Sequence, residues 1–267
     1  MTVQAALITG AGRGLGLETT RVFAERGWQV FAADLTPPPA APGIVPIRMD
    51  VSDAAAVADG VRAVAELAPR GLGCVVNFAG VLTVGPLVEI PESQLHRLMN
   101  INVLGTYRVN AATFELVRTG GGRIVNISSE TGWQRALMLN GPYAMSKHAI
   151  EAYSDALRRE LMFVGVPVIV VQPGPFRTDM VGGIDAAFAA SVRPDSPFAR
   201  LAGRVGRMAA AEHRRAHDPA VLAEVVWTAA TARTPKSRYS VRPDLRRRLL
   251  DRLPVPVVDR LLQRMLA

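Results

Sequence analysis

The feature that most constrains the fold is a repeated alternation of short, continuously apolar runs with longer stretches of helical character. The apolar runs cover residues 5–9, 29–33, 43–49, 74–77, 123–128 and 166–172. The helical stretches cover residues 15–25, 54–68, 91–117, 142–163 and 219–231. Strands that are apolar on both faces are typical of a parallel sheet covered on both sides by helices. The sequence therefore predicts one α/β domain over residues 1–267, with a doubly wound parallel sheet of about seven strands.

The composition is that of a protein with a large core and no disulfide. Hydrophobic residues make up 49% of the 267 residues and charged residues 20%, which suffices for one large domain. Cys74 is the only cysteine, so an intramolecular disulfide is excluded and a reducing compartment is expected. No apolar stretch approaches the roughly 18 residues of a membrane-spanning helix, and the strand-like run over residues 3–9 follows no charged leader. We therefore predict a cytoplasmic protein.

The positive charge is concentrated near the C-terminus. The net charge is +8, and residues 236–267 contain nine basic and three acidic residues. Nucleic-acid binding is disfavoured, because the arginines lack interleaved aromatic residues and no groove-binding motif accompanies them. Residues 243–267 place apolar side chains among these arginines, with Pro254 and Pro256 dividing them into two amphipathic pieces. Such a C-terminal extension either makes peripheral contact with an anionic membrane or packs its apolar face on the pocket or on another subunit, and we favour packing.

A glycine-rich turn follows the first predicted strand, in the sequence Thr-Gly-Ala-Gly-Arg-Gly-Leu-Gly over residues 9–16. Glycines let the backbone turn sharply and approach a pyrophosphate, whose charge is met by the N-terminus of the following helix. A turn of this kind between a strand and a helix predicts a dinucleotide site in a Rossmann-type fold. The predicted cofactor contacts of the turn are Gly10, Arg13, Gly14, Leu15 and Gly16.

Two charged residues give opposing indications about the cofactor. Asp34 ends the second predicted strand, where a carboxylate accepts hydrogen bonds from the adenosine ribose and repels a 2′-phosphate. Arg13 lies beside the glycine turn, where a guanidinium could pair with such a phosphate. We predict NAD on the strength of Asp34, with NADP as the alternative.

Tyr143 and Lys147 lie four residues apart where a helix is predicted to begin after Pro142. Residues with this spacing share one helical face. A neighbouring ammonium favours the phenolate and lowers a tyrosine pKa, which makes the phenol a usable acid or base. The chain has only one other lysine, Lys236, so the choice of lysine at this position is itself informative.

Together these motifs resemble the short-chain dehydrogenase/reductase family in its single-domain branch, which has Thr-Gly-x-x-x-Gly-x-Gly as its cofactor motif and Tyr-x-x-x-Lys as its catalytic motif. The resemblance runs from residue 3 to about residue 239, and further landmarks of the family occur in the expected order. These are Asp50 and Val51, then Asn77, Phe78, Ala79 and Gly80, then Asn102, then Ser128 and Ser129, and finally Pro173, Gly174 and Thr178. Residues 142–161 and 172–179 are further similar to members acting on retinol, steroids and hydroxybutyrate.

The resemblance implies a role for each residue of a catalytic set. Tyr143 would be the acid/base, Ser129 would hold the substrate oxygen, and Lys147 would lower the pKa of Tyr143 and bind the nicotinamide ribose. Asn102 would position a water that links Lys147 to solvent, and Thr178 would hold the carboxamide. Tyr143 is an implied cofactor contact as well, and the remaining ones are Asp50, Val51, Asn77, Ala79, Gly80, Pro173 and Gly174. No metal ligand is predicted.

The chain departs from the family pattern at two positions. Ser129 and Tyr143 are separated by 14 residues instead of the usual 13, so either the intervening loop bulges by one residue or Ser128 takes part; we choose Ser129. Phe78 replaces the second asparagine of the fourth-strand motif and is expected to pack beneath the cofactor.

The predicted substrate pocket has apolar walls. Residues 181–217 are rich in Gly, Ala, Pro and Arg, and they are expected to form either a mobile cover over the substrate or a helical excursion packed at the sheet edge. The walls are expected to include Val81, Leu82, Trp133, Leu137, Met138, Leu139 and Phe188. Such walls favour a lipophilic secondary alcohol or ketone of steroid, retinoid or acyl type.

The leading hypothesis is an NAD-dependent oxidoreductase that acts as a homodimer or homotetramer. An NADPH-dependent ketone or 3-ketoacyl reductase is the alternative within the same class. A non-catalytic dinucleotide sensor and a membrane-associated interaction protein are alternatives of other classes.

Overall fold

The computed structural model describes residues 4–178 and 183–266, and it contains the predicted doubly wound sheet. Over these residues the sheet has seven strands, all parallel, in the order β3-β2-β1-β4-β5-β6-β7. The strands are β1 Ala5–Thr9, β2 Gln29–Asp34, β3 Ile44–Arg48, β4 Cys74–Asn77, β5 Arg123–Ile127, β6 Val168–Pro173 and β7 Arg238–Val241. The order reverses between β1 and β4, and a ligand crevice is expected at this point.

Helices cover both faces of the sheet, as the continuous apolar runs require. The helices are α1 Gly14–Glu25, α2 Ala54–Leu67, α3 Glu92–Met99, α4 Thr106–Thr119, α5 Gly141–Leu161, α6 Ile184–Ala190, α7 Ala199–Arg214, α8 Pro219–Thr231, α9 Leu245–Leu250 and α10 Val255–Leu266. Successive side chains of β1 point into different cores: Ile8 packs with residues of α1 and α8, whereas Leu7 packs with residues of α2 and α4. Both faces of the sheet are therefore buried.

Two elements differ from the sequence-based prediction. The strand-like runs predicted six strands by position, and the seventh, β7, pairs with β6 through a sequence that is too polar and too short to stand out. The single helix predicted over residues 91–117 is interrupted by a π-helical segment, Asn100–Gly105. Within it the side chain of Asn102 turns away from the helix and binds the backbone of Val81 at both its N–H and its carbonyl. Wide turns of this kind often occur at functional sites.

Residues 183–217 form α6, α7 and their connections, so the helical alternative describes the segment better than an irregular cover does. The two helices pack on the loops that follow β4 and β5, with Ile184, Phe188 and Ala202 buried against Val84 and Leu139. The helices are therefore seated on loops and not on a sheet edge. Residues 179–182, which include the first two positions of the predicted cover, lie outside the described residues.

The C-terminal extension forms α9 and α10. Pro254 separates the two helices, as predicted, but Pro256 lies within the first turn of α10, where a missing N–H is tolerated. Ala267 lies outside the described residues. Among the helices described, none combines the length and the apolarity needed to cross a membrane.

Candidate active site

A cavity of about 570 Å³ runs along the carboxyl ends of the strands. Nearly all the residues predicted to form the site line it, from both sides of the switch between β1 and β4. These residues are Gly10, Arg13, Gly14, Leu15, Gly16, Asp34, Asp50, Val51, Ala79, Gly80, Ser129, Tyr143, Lys147, Pro173, Gly174 and Thr178. Asn77 and Asn102 are the exceptions, because both are buried behind the cavity wall. The fold thus brings residues from seven separate segments to one crevice.

The glycine turn has the geometry of a pyrophosphate cradle. Gly10 has a φ of 68°, and a Cβ atom on Gly16 would lie 2.1 Å from the carbonyl oxygen of Gly10. The N-terminus of α1 has no side-chain cap and no acidic residue in its first turn, so its first N–H groups are available to an anion. A dinucleotide pyrophosphate fits this set of donors.

Asp34 is held rigidly at the edge of the cradle. Its Oδ2 accepts a hydrogen bond of 3.0 Å from the backbone N–H of Gly12, and its Oδ1 accepts one of 3.0 Å from the N–H of Thr36. The carboxylate is therefore fixed beside the cavity, and each oxygen keeps one lone pair for a further donor. Arg13 also lines the cavity and is exposed, so a cation lies within the same region.

Asn77 belongs to a buried amide network and does not touch the cavity. Its Nδ2 donates to Oδ1 of Asn110 and Oδ1 of Asn126, at 2.7 and 2.9 Å. Asn126 in turn donates to Ser154. The asparagine predicted as a cofactor contact thus fixes β4 against β5, α4 and α5, and the adjacent Ala79 and Gly80 form the cavity wall in its place. Asn126 also heads the sequence Asn-Ile-Ser, but its complete burial in β5 excludes glycosylation in the folded protein.

Tyr143, Lys147 and Ser129 meet on one wall of the cavity. Burial raises the pKa of the Tyr143 phenol to about 12, although a hydrogen bond with the Ser129 hydroxyl opposes this shift. The Lys147 ammonium donates a hydrogen bond of 2.9 Å to the carbonyl oxygen of Ile127 and lies 5.5 Å from the centre of the Tyr143 ring. The pKa of the buried phenol is thus raised in total, because burial disfavours the phenolate. That Lys147 lowers the pKa of Tyr143 stays a prediction.

The additional residue between Ser129 and Tyr143 lies in a loop with one unusual backbone angle. Leu139 adopts a φ of 63°, a left-handed conformation that is uncommon outside glycine. Ser129 lies within hydrogen-bonding reach of Tyr143. The Ser128 hydroxyl also borders the cavity, but it is buried and has no hydrogen-bond partner among the described residues. The geometry thus favours Ser129 over Ser128 as the partner of the phenol.

Burial lowers the pKa of Lys147 to about 8, with the nearby Glu151 carboxylate opposing the shift. Between that value and the ordinary lysine pKa of about 10.4, the unfolded chain binds one more proton than the folded protein, so the free energy of unfolding rises with pH. Between roughly pH 8 and pH 10 we expect the free energy of unfolding of wild type to rise by about 2 kcal/mol relative to that of Lys147→Met. Urea unfolding of both proteins at each pH measures this gain. Lys236→Met, which alters the only other lysine, should not produce it, and a pH-independent difference for Lys147→Met would contradict the argument.

Asn102 forms hydrogen bonds with other protein groups and does not face the cavity. Besides its two bonds to Val81, its Nδ2 donates to the hydroxyl of Ser146 at 3.1 Å. Ser146 in turn donates to the carbonyl of Tyr143. Asn102 thus connects the loop after β4 to the helix that carries Tyr143 and Lys147. Its predicted function in positioning a water remains a prediction.

The part of the cavity beyond Tyr143 has mostly apolar walls. Of the predicted wall residues, Val81, Leu82, Leu137, Met138 and Phe188 line it, whereas Leu139 is buried behind it and Trp133 faces solvent. The C-terminal extension contributes as well, because part of its apolar face packs on the pocket, which is the alternative that we favoured. Leu262, Met265 and Leu266 of α10 form part of the wall, together with Ile184, Val205, Met208 and Ala209 of α6 and α7.

A polar clamp fixes the C-terminal segment to the loop that carries Ser129. Glu130 accepts a hydrogen bond of 2.7 Å from the backbone N–H of Asp244 and forms an ion pair of 3.2 Å with Arg247, and both Glu130 and Arg247 border the cavity. Burial raises the pKa of Glu130, although the Arg247 guanidinium opposes the shift. Arg135 adds two bonds, to Asp251 and to the carbonyl of Leu253. The C-terminal helices are therefore held firmly against the site.

The comparisons with known proteins agree with this arrangement. The family model described as short chain dehydrogenase matches residues 4–188. The chain is 30% identical over 251 residues to the NADPH-dependent 3-dehydrocapnine reductase of Ornithobacterium rhinotracheale, covering 89% of this chain and 88% of that protein. It is 31% identical over 251 residues to retinol dehydrogenase 16 of Rattus norvegicus, covering 87% and 78%. It is 30% identical over 287 residues to the mitochondrial D-beta-hydroxybutyrate dehydrogenase of Bos taurus, covering 97% and 83%.

A similar fold is found in the ligand-free aldohexose dehydrogenase of Thermoplasma acidophilum. The TM-score is 0.74, and the match covers 90% of this chain and 92% of that one. Because only 19% of the residues are identical, this similarity concerns the fold alone.

Proposed function

Since the chain belongs to the short-chain dehydrogenase family, we propose that it transfers hydride between NAD and a lipophilic secondary alcohol or ketone. The observation that carries the proposal is the juxtaposition of Ser129, Tyr143 and Lys147 on a cavity that begins at the glycine cradle. A nicotinamide cofactor, when bound, supplies the hydride chemistry. The protein's own residues then need only orient the substrate and move one proton.

Tyr143 is the proposed acid/base, because its phenol faces the cavity and is hydrogen-bonded to Ser129. With a raised pKa the phenol is protonated near neutral pH and can donate to a carbonyl oxygen in the reduction direction. In oxidation it must accept a proton, and a charged Lys147 at 5.5 Å favours the phenolate that this requires. Ser129 orients the reacting oxygen, and Lys147 is the proposed ribose contact.

NAD is the proposed cofactor because the Asp34 carboxylate is fixed at the cradle by two backbone N–H groups. A 2′-phosphate at this position would meet a like charge. The NADPH-dependent alternative has its own support in Arg13, which lines the cavity and forms no ion pair among the described residues. That one relative is named an NADPH-dependent reductase is a further reason to measure both cofactors.

The proposed substrate class follows from the walls of the cavity, which are apolar beyond Tyr143. Apolar walls favour an acyl, steroid or retinoid skeleton. We assign residues 183–217 as the cover of this pocket and residues 243–266 as a part of its wall. Cytoplasmic location and assembly into a homodimer or homotetramer remain predictions.

The proposal is tested by following nicotinamide reduction with NAD and, separately, with NADP. The alcohols should include hydrophobic steroids, retinol, long-chain 3-hydroxyacyl derivatives and the small 3-hydroxybutyrate. We expect turnover with NAD and a higher kcat/KM for the lipophilic alcohols. Tight cofactor binding without turnover of any alcohol or of the matching ketones would instead identify a dinucleotide sensor.

A further inference from the structure

The C-terminal helices expose an apolar surface, of which Met265 alone also lines the cavity. Its members are Leu245 and Leu249 of α9 and Val255, Val257, Leu261 and Met265 of α10. Between 41% and 71% of the surface of each of these residues is exposed. These are six exposed apolar residues on two short helices that are consecutive in the chain, and such exposed apolar side chains mark a candidate interaction site.

The spacing of α10 separates its apolar residues into two rows. Val258, Leu262 and Leu266 recur at every fourth position and face the protein, where the last two line the cavity. Val257, Leu261 and Met265 form the neighbouring row, which faces solvent. Of these three residues, Met265 also touches the cavity. Because residues four apart share a helical face, one side of α10 closes the site while the adjacent side stays free.

Arginines flank the free row. Arg260 and Arg264 follow Val257 and Leu261 by three positions on α10, and Arg248 follows Leu245 by three positions on α9. Together with Arg246 and Arg252 they form no ion pair among the described residues. The surface thus combines an apolar row with an edge of arginines, which outnumber the one exposed carboxylate of α10, Asp259.

This combination fits an anionic lipid surface better than a second copy of the chain. A symmetric contact between two copies would bring two arginine edges together, and like charges oppose such an approach. In a bilayer with anionic headgroups, apolar side chains enter the acyl boundary while arginines meet the phosphates. The Glu130 clamp holds α9 to the body of the protein, so the surface is presented in a fixed orientation.

We propose that α9 and α10 dock on the surface of an anionic phospholipid bilayer. Because Met265 both lines the cavity and faces solvent, docking places the opening of the site at the lipid boundary. Delivery of a lipophilic substrate from the bilayer rests on the proposed function, whereas docking itself does not. A vesicle-binding assay without substrate therefore tests docking alone, so a failure of docking can be distinguished from a failure of the proposed function.

The test is co-sedimentation of the full chain with vesicles of phosphatidylcholine alone and of phosphatidylcholine mixed equally with phosphatidylglycerol. We expect binding only to the anionic vesicles and release by salt, because the charges act over about a Debye length. Replacing Arg248, Arg260 and Arg264 with glutamine should weaken binding by about a hundredfold. The double variant Leu249→Asn, Leu261→Asn should weaken it as well, since it removes two buried anchors from the lipid.

Matched controls make the same change in charge, or the same kind of apolar substitution, at positions outside α9 and α10. Arg70, Arg159 and Arg233 replaced with glutamine lower the net charge equally, and Phe163→Asn removes an apolar side chain that is 83% exposed on a different surface. Both controls should bind like wild type. Equal loss in the charge control, or absence of vesicle binding by wild type, would overturn the proposal. So would a dimer in lipid-free sedimentation that Leu249→Asn, Leu261→Asn dissociates, because a second copy would then cover the surface.

Discussion

Replacing Tyr143 with phenylalanine is expected to lower kcat by about a thousandfold, within the range that general acid–base catalysis contributes. The substitution retains the buried ring and removes only the hydroxyl that is hydrogen-bonded to Ser129. Cofactor affinity should stay close to that of wild type, because the cradle around Gly10 and Gly14 is untouched. The measurements are kcat under saturating alcohol and cofactor, and a fluorescence titration of the reduced cofactor.

Tyr153 provides a matched control on the same helix. Its hydroxyl accepts a hydrogen bond of 3.2 Å from Asn110, away from the cavity. Tyr153→Phe should therefore cost about 1 kcal/mol of stability and leave kcat unchanged. A Tyr143→Phe enzyme with the kcat of wild type would show that the phenol does not transfer the proton, even if the cofactor and substrate assignments were correct.

The fold was largely predictable from the sequence because its strands are buried on both faces. Such strands have no polar face exposed to solvent, so they stand out as continuous apolar runs. The positions of the first six strands agree with the structure to within two residues at each end. The glycine turn and the Tyr143–Lys147 spacing were equally readable, because each depends on residues close together in the chain. Local patterns thus predicted the crevice and most of its lining.

The contributions of the C-terminus were less predictable, because they depend on contacts across more than a hundred residues. The sequence does not indicate an ion pair between Glu130 and Arg247. It also does not indicate which of the consecutive arginines 246–248 is directed into the protein. The amphipathic pattern of residues 243–267 did indicate a face that packs on the pocket or on another subunit, but not which of the two. In the same way Asn77 and Asn102 were recognised as landmarks, while their burial in hydrogen-bond networks became visible only in the structure.

The pKa of Tyr143 illustrates a second limit of sequence reasoning. The spacing of Lys147 indicates that a positive charge lies close to the phenol, and this is correct at 5.5 Å. Spacing does not report how deeply the pair is buried, and burial disfavours the charged form of both groups. The two shifts are opposite in sign and share one cause, so the sequence could identify the pair but not the balance of effects on it.

Removing the charge of Asp34 is expected to shift the preference between the two cofactors by about a hundredfold toward NADP, since a like-charge contact costs several kcal/mol. Asp34→Asn is the sharper variant, because the amide oxygen can still accept one of the two hydrogen bonds that Gly12 and Thr36 donate. Asp34→Ala loses both bonds as well as the charge. The measurement is the ratio of kcat/KM for NAD to kcat/KM for NADP with one alcohol.

Asp50 supplies the matched control for this experiment. It also lines the cavity, but its carboxylate accepts bonds from the backbone and hydroxyl of Ser52, so Asp50→Asn should leave the ratio nearly unchanged. Adding Arg13→Gln to Asp34→Asn should remove the gain in NADP use if the guanidinium pairs with the 2′-phosphate. A wild-type enzyme that already prefers NADP, or an Asp34→Asn enzyme with an unchanged ratio, would contradict the assignment of NAD and leave Arg13 as the residue that selects the cofactor.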